Sequence, residues 1–144
     1  MDAFFPIEKA LQLIQQFENK TLPKSEWTHE AHLMVGLYHL ANFGSDTLPI
    51  LSPKIKAYNE SVGGINSETS GYHETLTFFW LCVLEQYCVN QGKITFDQTT
   101  LDDMLWTEEL ADRNLWLNYY SKDYMMSVRA RMEFIDGDLM SLFH

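Results

Sequence analysis

Apolar residues recur at helical spacing along most of the chain, and no run alternates in the manner of a β-strand. Ile7, Ala10, Leu11, Ile14 and Phe17 fit an i, i+3, i+4, i+7 pattern, with Glu8, Lys9, Gln15 and Glu18 outside it. That predicts an amphipathic helix from Ile7 to Lys20, entered at Pro6 and finished before Pro23. A second helix is predicted from His29 to about Asn42, capped by Thr28 and stopped at Gly44. It is apolar nearly all round, the mark of a buried central element. Pro53 after Ser52 suits the first position of a third helix, ending at Val62 before Gly63-Gly64. Ile55, Tyr58, Asn59 and Val62 would share its inner face.

Beyond the polar loop from Gly63 to Gly71, Tyr72 to Asn90 reads as a second central helix. Leu76, Phe79, Trp80, Val83, Leu84 and Tyr87 would point inward. A shorter helix built on Phe96, Leu101, Met104 and Leu105 is capped by Thr95 or Asp97. Leu110 to Tyr120 is aromatic without a clear period. Ser121 then caps a helix from Lys122 to Phe134, with Tyr124, Met125, Val128 and Met132 as its buried stripe. Asp136-Gly137 breaks it, and Asp138 to His144 is a short tail. The expectation is a single all-α domain over residues 1–144, a compact bundle of five to seven helices.

Composition narrows the function classes. With 46% hydrophobic and 14% aromatic residues, a chain of 144 can bury a core. Ten basic against twenty acidic residues give a net charge of −10, which argues against nucleic acid and anionic membrane surfaces as partners. Met1 to Pro6 lacks the features of a signal peptide. The charge-free apolar run from Thr75 to Leu84 is about half a membrane span. Cys82 and Cys88 suit buried reduced thiols, and a cytoplasmic location is expected.

The candidate chemistry lies at two helix starts. His29 and His32, at i and i+3, project to one side of the second helix, and His73 with Glu74 opens the later one. If the two starts meet, three imidazoles and a carboxylate would suit Zn²⁺, Ni²⁺ or Fe²⁺ with positions left for water. Helix N-termini disfavour imidazolium, which keeps such rings neutral. Glu74 points about 100° from His73 on a helical wheel and serves equally as a solvated first-turn carboxylate. Thr77, at i+4 from His73, either orients that ring or bonds back to the preceding turn. Trp27, Asn59 and Tyr72 are candidate pocket walls, and Arg131 a candidate clamp for a carboxylate. Gly36 and His39 stand one heptad after His29 and His32, and a glycine on that stripe allows close approach.

In Trp27-Thr28-His29-x-x-His32-Leu33, Tyr72-His73-Glu74-Thr75-x-Thr77 and Ala130-Arg131-x-x-Phe134, the chain resembles a family of short uncharacterised bacterial all-α proteins. The resemblance runs from about Glu26 to Leu142 and includes Tyr58-Asn59 and Gly63. Gly137-Asp138-Leu139 departs from the Pro-Asp-Leu such proteins tend to carry. It implies that His29, His32 and His73 belong to one site, but supplies no activity. Three readings are open. One is a metal-binding protein or enzyme with those histidines as ligands and Glu74 as a fourth ligand or general base. Another is a metal-free module holding a small anion through the histidines and Arg131. The third is a regulatory or interaction protein with structural histidines. Trp116, Tyr119 and Tyr120 fit either a homodimer surface or the core.

Overall fold

A computed structural model describes residues 5–143 of the chain. The described residues contain no strand. Five helices of nine residues or more form the frame: α1 Ile7–Asn19, α2 His29–Phe43, α3 Thr47–Ser61, α4 Glu74–Asn90 and α5 Gln98–Trp106. Three short ones come after them: α6 Glu108–Ala111, α7 Lys122–Met125 and α8 Val128–Met132. Among the described residues no helix is long and apolar enough to cross a membrane.

α2 and α4 are the central pair, as their apolar circumference requires. They approach closely because position 36 is glycine. A Cβ there would lie 2.8 Å from Leu84 Cδ1. Phe17, Leu37, Tyr58, Leu84 and Met104 belong to one core shared by α1 to α5. Phe79 on the other side of α4 anchors a second core with Leu115, Tyr120, Met125, Ala130 and Ile135. Tyr120 is thus a core residue, its hydroxyl donating to the Ile135 carbonyl at 2.6 Å.

The sequence signals hold at the starts of α2 and α5, whereas the Ser121 hydroxyl makes no cap bond to α7 and donates to Asp138 instead. Thr28 accepts from the Ala31 N–H at 3.2 Å, and Asp97 rather than Thr95 caps α5 by accepting from Thr100. α4 begins at Glu74, two residues later than the pattern suggests, because His73 is its cap.

Three expectations fail for identifiable reasons. α3 begins at Thr47, with Pro49 in its first turn, where a missing N–H costs nothing, and Pro53 in its interior. Thr47 draws the start forward by donating to the carbonyls of His39 and Gly44, and burial of Leu51 stabilises the turn before Pro53. The helix expected from Lys122 to Phe134 is broken at Ser127, whose backbone is extended and whose hydroxyl caps α8. Val128 and Met132 therefore turn outward, and Ala130 and Ile135 are buried instead. In α1, Leu11 is exposed and Leu13 takes its place inside.

Candidate functional site

The starts of α2 and α4 border one cavity. It lies between them and α3, with a volume of about 640 Å³, within the range of small-molecule sites. Of the nine residues singled out from the sequence, Trp27, His29, His32, Asn59, Tyr72, His73 and Thr77 line it. Leu51, Ile55, Leu81 and Leu84 form apolar wall, and Gly36 lines the cavity where a side chain would press on Leu84 of α4.

Each histidine is fixed by a backbone carbonyl. His29 Nε2–H donates to Leu110 at 2.8 Å, and the ring meets Trp80 edge-on at 4.7 Å between centroids. His32 Nδ1–H donates to Thr28 at 2.6 Å, and its ring lies over Trp27 at 3.8 Å. Trp27 stacks on Phe17 with its other face, at 4.8 Å. A carbonyl only accepts, so these contacts set the tautomers. His29 Nδ1 and His32 Nε2 are left with lone pairs that no described residue engages. Protein packed around His32 strips away bulk solvation and lowers its pKa to about 4, with His29 and Arg113 pushing the same way. The ring still meets water in the cavity, and His32 is neutral at pH 7.

His73 is differently placed. Nδ1 accepts from the Leu76 N–H at 3.1 Å and Nε2–H donates to the Met125 carbonyl at 2.8 Å. Both nitrogens are occupied, so in this geometry it offers no lone pair to a ligand or metal. Burial, and then the Arg131 charge, keep its pKa below the ordinary value. Among the described residues, no three His, Cys, Asp or Glu side chains are grouped to hold a metal ion.

Glu74 and Arg131 stand outside the cavity wall. Glu74 accepts from the Tyr72 hydroxyl at 2.6 Å. That phenol's pKa is driven upward, first by burial and then by this bond. Arg131 donates to the Gly71 carbonyl at 2.8 Å, so it secures a loop rather than facing a ligand. Asn66 ties down the same loop, donating to Lys56 and accepting from Asn59 and from the Tyr72 N–H. Thr77 bonds back to the His73 carbonyl at 2.9 Å, the second of the two roles open to it. His39 leaves its expected stripe-mates altogether. It is buried against Val35, Lys54 and Glu18, away from the cavity.

Sequence reasoning missed Lys24, Trp80, Arg113 and Trp116, all of which line the cavity. The helical pattern turns Trp80 inward without marking it as part of a site. Arg113 and Trp116 lie in the stretch with no helical period, where no signal marks them. No family model matches the chain, no curated protein is significantly similar to it in sequence, and no solved structure matches it significantly.

Proposed function

We propose that this protein binds a small organic molecule in the cavity between α2, α3 and α4. The observation that carries the reading is the pair of unengaged lone pairs, His29 Nδ1 and His32 Nε2, in a cavity otherwise walled largely by apolar side chains. Such a site suits a ligand with an apolar body and a hydroxyl or N–H donor to meet the imidazoles. The backbone carbonyls that lock the tautomers pre-organise both acceptors, which limits the ordering cost of binding.

The same lone pairs favour a second reading, in which Zn²⁺, Ni²⁺ or Fe²⁺ sits on His29 and His32 and completes its shell with water or ligand atoms. His73 would join only by giving up its cap of the Leu76 N–H, which occupies the ring's one lone pair.

One experiment tests both. Purified untagged protein and the His29→Leu/His32→Leu variant are screened by thermal shift against a fragment library, with elemental analysis of each. Hits bearing hydroxyl or N–H donors that stabilise the native chain but not the variant support the first reading. Near-stoichiometric metal that vanishes in the variant supports the second. Fragments that stabilise both proteins equally, without metal, defeat both.

A further inference from the structure

The rim of the cavity carries two cations with nothing to do. Lys24 and Arg113 both line it and both are exposed, and among the described residues neither takes part in an ion pair or a side-chain hydrogen bond. Spare positive charge is unexpected here, since the chain has twenty acidic residues and only ten basic ones. Arg113 is close enough to His32 to act on it electrostatically. Two helix starts, those of α2 and α4, border the same cavity, and their partial positive charge adds to the local field.

We infer that the ligand is an organic carboxylate, its anionic head at the rim against Arg113 and Lys24 and its apolar body inside. This rests on the small-molecule reading and sharpens it. A cationic ligand would be repelled at the rim, and a neutral one would leave both cations unanswered. The guanidinium fork matches a carboxylate in two parallel hydrogen bonds. The free ring nitrogens of His29 and His32 are acceptors where their N–H groups face carbonyls, so they reject an acceptor-only head and require a donor elsewhere on the ligand. Indole rings of Trp27, Trp80 and Trp116 in the wall favour an aromatic body. The class is therefore an aryl carboxylate that also carries a hydroxyl or N–H group.

Three probes separate this from the reading beneath it, each measured by isothermal titration calorimetry on the full chain. The first is a hydroxynaphthoate with its hydroxyl and carboxylate on opposite rings, the second its carboxamide, the third naphthoate without the hydroxyl. The acid is expected to bind about tenfold more tightly than the amide, the worth of one charge-assisted contact. Arg113→Gln, a substitution at an exposed position, should cost the acid about tenfold and the amide much less, since a neutral carbonyl accepts a weaker bond from the guanidinium. Loss of the hydroxyl should weaken binding to the native chain but not to His29→Leu/His32→Leu. Equal affinity for acid and amide, unaltered by Arg113→Gln, would overturn the carboxylate inference while leaving the pocket standing. No binding of any probe at millimolar concentration would overturn both.

Discussion

The Nε2 of His73 lies 2.8 Å from the carbonyl oxygen of Met125, 52 residues further along the chain. Through its other nitrogen the same ring caps α4 at Leu76. One side chain therefore fixes the start of a central helix and pins α7 to it. His73→Ala removes both bonds and leaves a buried carbonyl without its donor, so it should destabilise the fold by about 2–3 kcal/mol. His73→Asn keeps a capping oxygen and should lose about half as much. Urea unfolding of the two variants decides this. Equal losses would mean that the cap contributes nothing.

Which of these facts could be read in advance depends on how far away the deciding partner lies. Helix starts with local signals, such as Thr28 at α2, were legible because a cap is made within three or four residues. That His29, His32 and His73 line one cavity depends on how α2 packs against α4, which the apolar circumference of both helices suggests but no local signal fixes. What each nitrogen does was not legible. Leu110 and Met125, the carbonyls that decide it for His29 and His73, lie 81 and 52 residues away. The start of α3 before Pro53 depends in part on the bond from Thr47 back to His39, eight residues earlier, whereas the break at Ser127 rests on a local cap, its hydroxyl to the Ala130 N–H, that the apolar period from Lys122 to Phe134 masks. Arg131 looked like a ligand clamp because its partner, the Gly71 carbonyl, is a backbone group that no sequence pattern announces.

Acid should weaken this protein before its carboxylates titrate. His39 and His73 are both held below 6.5 in the fold, mainly by burial, with Lys54 adding to the effect on His39 and Arg131 on His73. Glu18 opposes the shift at His39 without cancelling it. In the unfolded chain the rings return to about 6.5, so below that pH the unfolded state takes up protons first. Their stabilising contribution is complete above pH 6.5 and falls as pH drops toward the folded values. His32 acts in the same direction down to about 4, with less weight because its ring meets water. Each suppressed imidazole adds at most about 1.4 kcal/mol per pH unit to the slope. Asp97, held down to about 2 by the Thr100 N–H, enters only at far lower pH. Urea midpoints should decline between about pH 6.5 and 5, and less steeply in His73→Asn. A flat profile there would contradict the buried neutral state of both rings.

The loop from Gly63 to Gly71 is fixed at its far end by Arg131, so the two should fail together. Gly71 has φ +76°, and a Cβ there would collide with the Ile65 carbonyl and the Asn66 side chain. Gly71→Ala should therefore cost about 1–3 kcal/mol. Arg131→Gln removes the donor to Gly71 and should raise amide hydrogen exchange across residues 63–71 while α1 and α5 stay protected. Since Tyr72, Gly71 and Ile65 line the cavity, the same variant should weaken binding of any ligand there. Unchanged exchange in the loop would show that Asn66 alone suffices to hold it.

Position 36 separates packing from pocket shape. A methyl group at Gly36 would approach Leu84 Cδ1 to 2.8 Å and Leu81 Cδ2 to 3.6 Å. Leu84 can swing a terminal methyl, although it is buried in the core. Alanine regains about 0.5–1 kcal/mol of helix propensity, which offsets most of that strain, so Gly36→Ala should change stability by less than about 1 kcal/mol. Valine adds two further carbons between α2 and α4 with little helix propensity to offset them, and Gly36→Val should lose about 1–3 kcal/mol. Because Gly36 also lines the cavity, valine should weaken ligand binding more than alanine does, even where both variants are fully folded. Thermal unfolding gives the first quantity and calorimetric titration with the hydroxynaphthoate the second. If alanine proved as damaging as valine, Leu84 would be unable to yield, and the contact between α2 and α4 would be tighter than its one flexible methyl suggests.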